Sequence, residues 1–484
     1  MKSLRIIISF FIAITVTQYA QTGSINNTLG TGGSFNVKDG SNNFFRIDQL
    51  TGNSFFLKNI ELGSIENSTP SIGVITKNGI IFLHNSIAPN TTGRNTFLGL
   101  YAGSLSLSGQ YSWWGSFNTA VGWGSLSSLT DGYENAAFGY LTLNKNTSGA
   151  RNSAFGNASL SENVSGYSNA AFGASSLGGN TAGIKNCAFG DHSLSFNING
   201  SENSAFGTES LSSNRASFNS AFGSGSLSGN QQGTENSAFG YNSLSSSMGS
   251  YNSAFGSVSL FNNSTGNANS AFGIGSLQNN TTGNNNTAVG NISGNGITTG
   301  SNNTAIGYNA QVPNNAGDNQ VRIGNTSITY AGIQVSWSIT SDRRWKKDIS
   351  PSNLGLDFIT KLNPVSYVRK DDESRKTEYG LIAQEVEDIL KEEGITNVGM
   401  LTVDNDGNYE LRYNDLIAPI IKSIQELKHQ NDELASTNKQ LAEQNETLKK
   451  VIEEVKLSIT EQIETVLTKF SYSNKYDVQI SYKK

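Results

Sequence analysis

Ser341 and Lys346 lie five residues apart in the stretch Ser341-Asp-Arg-Arg-Trp-Lys-Lys-Asp-Ile349, and they are the pair in this chain whose types and spacing could do chemistry. A serine hydroxyl is a weak nucleophile until a base removes its proton. A lysine amine is such a base when burial or neighbouring cations keep it neutral. Arg343, Arg344 and Lys347 supply neighbouring cations. From this stretch alone the plainer reading is a solvated basic face that opens a folded domain, with an inert Ser341.

The other reactive residue types point elsewhere. Cys187 occupies a small position held by Ser153, Ser204 and Ser220 in equivalent segments, which indicates packing rather than redox or metal chemistry, and a single cysteine forms no intrachain disulfide framework. His192 stands beside Asp191 with no second histidine within 100 residues, so an exposed loop histidine is expected rather than a metal ligand. Glu134, Glu202 and Glu235 recur in some segments only, and no acid–base pair at a fixed separation, as a glycosidase needs, is selected. Sequons such as Asn146-Thr-Ser148 are expected by chance where Asn and Ser are this abundant. Neither a cofactor nor a metal is expected.

The elements that must position Ser341 and Lys346 belong to two different materials. The chain has 484 residues with one Cys, six Pro, 52 Gly, 36% apolar and 15% charged residues, which excludes a disulfide-rich mini-protein and a polytopic membrane protein. Residues 1–340 hold 12 Lys/Arg and 12 Asp/Glu and are formally neutral, whereas residues 341–484 hold 21 and 26 and carry the whole charge of −5. Neither part has the clustered basic residues that a nucleic-acid partner requires. Lys2 and Arg5 followed by the apolar run Ile6–Val16 read as a secretory signal peptide cleaved after Ala20, because the run is too short to span a bilayer comfortably. An extracellular or periplasmic protein with no later membrane span is expected. Residues 21–90 mix Phe44, Phe45, Phe55–Leu57 and Ile80–Leu83 with Gly and Asn, the pattern of short strands and turns.

From Asn95 to Gly307 one phrase recurs: Asn, a small residue, Ala, an apolar residue, Gly. After the first interval its glycines fall 17 residues apart, twice shortened to 16, so a solenoid of stacked units is expected. A large apolar residue precedes the Gly (Phe138, Phe155 and so on to Phe272) and a Leu follows four residues later (Leu143 to Leu277). Asn/Gly/Ser/Thr segments supply turns, so the unit reads as two short strands and two turns. Two large apolar side chains per unit do not offset an ordering cost of roughly 1–2 kcal/mol per residue. The Phe/Leu stripe is therefore expected to face other copies of the chain around a common axis, and three-fold symmetry closes such a fibre. Asn286-Thr-Ala-Val-Gly290 and Asn303-Thr-Ala-Ile-Gly-Tyr-Asn-Ala310 resemble the head repeats of trimeric autotransporter adhesins, which implies a trimeric parallel β-roll over about residues 95–310. No C-terminal membrane β-barrel is legible, so a complete autotransporter is not expected.

The junction carries a second resemblance. Ser341-Asp-Arg-Arg-Trp-Lys-Lys-Asp-Ile349, Leu362-Asn-Pro-Val-Ser-Tyr367, Tyr379-Gly-Leu-Ile-Ala-Gln-Glu-Val386 and Tyr413-Asn-Asp-Leu-Ile-Ala-Pro-Ile420 occur in the order found in the intramolecular chaperone, or S74 peptidase, domain of phage endosialidase tailspikes. Trp345 stands where an aliphatic residue is commoner. The resemblance implies that Ser341 and Lys346 form a catalytic dyad cutting the Thr340–Ser341 bond. Lys346 would be the general base, Asp342 would orient the loop, and Gln384 and Glu385 would pack or hydrogen-bond within the domain.

From Leu416 to about Lys469 the pattern is helical, with Ile420, Leu427, Leu434, Leu441, Leu448, Val455 and Gln462 at heptad position d. Ile417, Ile424, Asn431, Asn438, Asn445, Ile452, Ile459 and Val466 fall at position a. Ile at a with Leu at d favours two strands in a free peptide, while the solenoid argues for three, and the longer element takes precedence. Phe470–Lys484 reads as a strand-like tail.

The expected fold class is mainly β: a trimeric parallel β-roll or solenoid stalk, a small α+β chaperone domain and a C-terminal coiled coil. The expected divisions are 1–20 signal peptide, 21–90 N-terminal β region, 91–310 repeats, 311–340 neck, 341–412 chaperone domain, 413–470 coiled coil and 471–484 tail. The expected function is a secreted or cell-surface adhesin-like homotrimeric fibre, with a surface glycan or protein as external partner. Its assembly domain would remove itself in a single turnover. A tailspike-like carbohydrate-active fibre, an uncleaved structural fibre with an inactive chaperone domain, and a membrane-tethered transcription factor released by the same cleavage are the alternatives.

Overall fold

The computed structural model describes residues 34–39, 42–48, 54–56, 74–370 and 375–480. The expected signal peptide lies outside the described residues. Strands β1 (Ser34–Asp39), β2 (Asn42–Asp48) and β3 (Ser54–Phe56) form an antiparallel sheet that takes up Phe44, Phe45 and Phe55. Then β4 (Ile75–Lys77) and β5 (Ile80–His84) make a hairpin whose two turn residues, Asn78 and Gly79, both have positive φ. That is the turn chemistry a tight two-residue loop demands.

Strand β5 pairs antiparallel with β6 (Thr96–Leu98), and from β6 onward every strand is parallel and in register with the next as far as β19 (Val321–Ile323). Among the described residues this makes one sixteen-stranded sheet wound as a solenoid. Each winding contributes a single three-residue strand, such as Cys187-Ala-Phe189, and not the two strands expected from the sequence. The rest of the coil is turn. Its backbone is satisfied by the next coil instead of by a second strand: Leu177 N donates to Ser193 O at 2.9 Å and His192 N to Ala174 O at 3.0 Å. Stacking along the axis thus pairs turns as well as strands.

The interior corrects the expectation for the Phe/Leu stripe. Leu143, Leu160, Leu177, Leu194, Leu211, Leu227, Leu244, Leu260 and Leu277 are wholly buried inside their own chain, together with the central Ala of each strand. The strand's two flanking side chains point the other way, because successive residues alternate faces. Only the Phe half of the stripe therefore lies outside. Phe138 through Phe272 stack face to face with centroids 4.5–5.0 Å apart along that outer surface.

What fills the remaining interior is asparagine, a contribution that counting apolar residues overlooks. Asn152, Asn169, Asn186 and Asn203 are buried one above the other. The Oδ1 of each accepts from the backbone N–H of the next Asn (3.0–3.1 Å), and its Nδ2 donates to a turn carbonyl, as from Asn186 to Gly200 O at 2.8 Å. A second column runs through Asn146, Asn163, Asn180, Asn197 and Asn214, again with each Nδ2 on the preceding Oδ1 at 2.7–3.2 Å. Buried polar groups cost little once fully hydrogen-bonded, so these ladders let a coil with little apolar surface keep its shape.

The glycine that ends each strand is dictated by the same stacking. Gly190 has φ of 135°, and a Cβ there would lie 2.5 Å from Gly207 O. Gly190→Ala therefore meets both backbone strain and a backbone clash, and is expected to destabilise the solenoid by roughly 2–4 kcal/mol. A urea midpoint unchanged from wild type would contradict the close approach of coils.

Cys187 sits at the first strand position beside Ala170 and Ser204 in the neighbouring coils, half-buried, and burial pushes its thiol pKa up. His192 is exposed in a turn with Nδ1 3.0 Å from Asp191 Oδ2. Glu134 and Glu202 pair with Arg151 and Lys185 of adjacent coils, each at 3.0 Å. Such exposed pairs contribute little stability.

Beyond the solenoid come α1 (Leu356–Lys361), a hairpin of β20 (Val365–Tyr367) and β21 (Glu378–Gly380), α2 (Ala383–Glu392) and a hairpin of β22 (Leu401–Val403) and β23 (Tyr409–Leu411). A 3-10 turn at Tyr413–Leu416 leads into the long helix α3 (Ile417–Ile480). Leu354, Phe358, Val386, Leu390, Met400 and Leu416 form the small core, Val386 and Leu390 one helical turn apart on α2. The long helix runs through Ile480, so residues 470–480 are helical where an extended tail was expected. Its d-position residues Leu427, Leu434, Leu441 and Leu448 stay exposed in the single chain.

Candidate functional site

Ser341 and Lys346 meet. Lys346 Nζ donates to Ser341 Oγ at 2.7 Å. What returns the chain over five residues is a 3-10 turn, Arg343–Trp345, closed by Lys346 N donating to Arg343 O at 3.1 Å. Asp342 caps that turn: its carboxylate accepts from Arg344 N at 2.8 Å and from the Arg344 guanidinium at 2.6 Å. These hydrogen bonds hold the Asp342 carboxyl below its ordinary pKa. With both oxygens engaged by Arg344, Asp342 orders the loop and stands apart from the Ser–Lys contact.

The pair opens into a groove of about 560 Å³, lined also by Ile339, Leu354, Val398, Met400, Asn414 and Asp415. The groove thus gathers residues from the upstream strand-like segment, the domain core and the start of α3. Ser341, Lys346, Arg343, Lys347 and Trp345 are all exposed in the single chain, Trp345 at 82%.

The sequence motifs converge on one scaffold. Leu381 N, in the Tyr379-Gly-Leu motif, donates to Tyr413 Oη at 2.8 Å. Asn363 Nδ2 reaches Glu385 Oε2 at 3.3 Å, which gives Glu385 the hydrogen-bonding place expected of it, while Gln384 lies at the surface. Leu356 N donates to Glu426 Oε2 at 2.7 Å and Lys422 Nζ to Ser352 O at 2.6 Å, so the first turns of α3 are fastened to the domain. Contacts also reach back to the end of the solenoid, where Arg322 pairs with Glu410 and Asn405 N donates to Pro313 O at 2.9 Å.

One signal was missed in the sequence. Residues 333–340 alternate strictly as Ile333, Val335, Trp337 and Ile339 against Gln334, Ser336, Ser338 and Thr340, a period of two that marks a half-buried strand. In the single chain they form no strand and the apolar set is exposed, Val335 at 79% and Trp337 at 74%. This segment leads directly to Ser341.

The fold and site define a β-solenoid fibre segment followed by a small α+β domain that carries a serine–lysine pair at its first residues. Residues 341–395 match the family model described as chaperone of endosialidase, Peptidase S74. The matched segment starts at Ser341 and takes in Lys346, the first hairpin and α2. No curated protein and no solved structure matches the chain.

Proposed function

We propose that this chain is an exported, adhesin-like trimeric fibre whose S74 domain assembles three solenoids in register and then cuts itself away at Thr340–Ser341. The observation that carries the reading is the 2.7 Å contact between Lys346 Nζ and Ser341 Oγ, at the first residues of the matched segment and shortly after the last solenoid strand, Val321–Ile323.

The trimer is supported by three apolar surfaces that the single chain leaves wholly or partly uncovered: the half-buried Phe138–Phe272 row, the exposed alternating segment before Ser341, and the exposed heptad seam of α3. Exposed apolar patches mark association sites. The solenoid pairs neighbouring coils only through local contacts, but aligning three of them is a long-range search. A C-terminal domain that gathers the chains raises their local concentration for that step.

In the cleavage step Lys346 takes the proton of Ser341 Oγ as the oxygen attacks the Thr340 carbonyl carbon. The C–N bond of the peptide breaks, the proton passes to the Ser341 nitrogen, and the Thr340 acyl group rests on Oγ as an ester. Water then releases the Thr340 carboxylate and restores the hydroxyl. A lysine acts as base only in its neutral form, which desolvation favours. The pair is exposed in the single chain, so covering the groove by neighbouring chains would couple cutting to completed assembly. N-terminal sequencing of the C-terminal fragment tests the reading: it is expected to begin at Ser341, and a fragment beginning elsewhere, or none, contradicts it.

A further inference from the structure

We propose that the N-terminal coils of the solenoid carry a binding groove for a neutral saccharide. The aromatic residues of the solenoid's outer surface are not spread evenly. Tyr101, Trp123 and Tyr140, all exposed, form a continuous strip: Tyr101 meets Trp123 edge to face at 5.6 Å between centroids, and Trp123 stacks on Tyr140 at 5.1 Å. The strip is separate from the Phe row, which begins at Phe138 on the outward side of the strands.

Tyr101 also forms one wall of a groove of about 540 Å³. Its lining includes the apolar Ile80, Ile81 and Leu105, the hydroxyl-bearing Ser104, Ser106 and Ser127, and His84. The imidazole of His84 is buried, Nε2 donates to Ala102 O at 2.7 Å, and burial lowers its pKa, so it is neutral and serves as a fixed floor. Among the described residues no charged side chain lines the groove.

A second observation falls in the same coils. The interval from Gly99 to Gly122 is 23 residues where the later ones are 17 or 16, and the six or seven additional residues fall in a winding that contains Tyr111, Trp113 and Trp114. Tyr111 stacks on Trp113 at 5.2 Å and meets Trp114 at 5.1 Å, and Tyr111 and Trp113 are exposed. Insertions into a repeat project as loops on one face, commonly the binding face. Exposed flat rings beside hydroxyl groups suit a pyranose ring. Its C–H groups pack on the negative face of the aromatic ring, and its hydroxyls exchange hydrogen bonds with serine. The uncharged lining among the described residues favours neutral sugars over sialic or uronic acid polymers.

This inference rests on the adhesive part of the reading above and needs neither the cleavage step nor the trimer. Its test is binding of soluble neutral oligosaccharides of glucose, galactose, mannose and xylose to the purified full chain, followed by tryptophan fluorescence and calorimetry, with polysialic acid and hyaluronan as charged comparators. At least one neutral series is expected to bind. Trp123→Ala and Tyr101→Ala, both exposed and therefore tolerated by the fold, are expected to weaken it at least tenfold. Tyr241→Ala, at the position equivalent to Tyr140 but six coils further along the solenoid, is expected to leave it unchanged. Binding of the charged polymers alone, equal binding by all variants, or no binding at all overturns the proposal. Light scattering and gel analysis of the same preparation show separately whether the chain is trimeric and cut, so failure of the saccharide site is distinguishable from failure of the fibre reading.

Discussion

Ser341→Ala and Lys346→Met chains are expected to run as single uncut species on a denaturing gel, while the wild-type chain separates into a solenoid fragment and a fragment spanning residues 341–484. Ser341→Ala removes the oxygen that would carry the acyl group, so no ester forms and the loss is complete. Lys346→Met retains the side chain's length and apolar stem but has no amine to accept the Oγ proton. General-base assistance contributes about 10²–10⁴-fold, so cleavage by Lys346→Met is expected to fall by at least that factor. Both side chains are exposed and make no core contact, so neither variant is expected to change the fold, and matching circular dichroism spectra check this. Asp342→Ala separates loop order from chemistry: it frees Arg344 and loosens the 3-10 turn, and slows cutting without abolishing it. Complete cleavage in Lys346→Met would remove the dyad from the account.

Asn186→Leu is expected to destabilise the solenoid as severely as loss of a large core residue, although it adds apolar surface to the interior. Asn186 is 1% exposed. Its Oδ1 accepts from Asn203 N and from Asn203 Nδ2, both at 3.1 Å, and its Nδ2 donates to Gly200 O at 2.8 Å. Leucine has a similar volume and none of these groups, so the backbone N–H of Asn203 is left buried without a partner, while Gly200 O keeps only its bond from Asn197 Nδ2 and Asn203 Nδ2 only its bond to Ala216 O. The orphaned N–H costs about 1–3 kcal/mol and each further lost hydrogen bond about 0.5–1.5 kcal/mol, so a loss of roughly 2–5 kcal/mol is expected. Urea unfolding checks it, with the exposed Asn199→Leu as the comparison. If Asn186→Leu were as stable as Asn199→Leu, hydrogen-bonded ladders would not be what holds the coil.

The difference between reading the repeat and reading its energetics lies in that asparagine. The 17-residue interval and the stacked coil follow from periodic spacing, since only a stacked coil returns the same side chain to the same place, but which side of the coil takes Leu194 does not: it was expected to face sister chains and lies inside its own. The asparagines were just as periodic, yet Asn in a Gly- and Ser-rich segment reads as a turn former, because its amide satisfies local backbone groups in isolation. Only neighbouring coils reveal that the amide bridges to the next copy of itself. The same limit explains the single strand per winding: turns whose N–H groups bond to the adjacent turn have no alternation to betray them.

At the junction, the pairing of Ser341 with Lys346 was implied by the resemblance that four ordered motifs carry and not by their spacing, whereas the cap by Asp342 and the hydrogen bond from Leu381 N to Tyr413 depend on geometry that no local pattern encodes. Residues 470–480 were misread because Phe470, Tyr472 and Tyr476 suggest a strand, while the helix that precedes them propagates at little further cost once nucleated.

The mass of the intact species in solution tests the whole account most directly. The uncut Ser341→Ala chain, measured by size-exclusion chromatography with light scattering, is expected to have three times the mass of one chain at all concentrations examined, with its Phe row, neck and α3 seam covered by sister chains. A stable, well-ordered species of one chain's mass would contradict it.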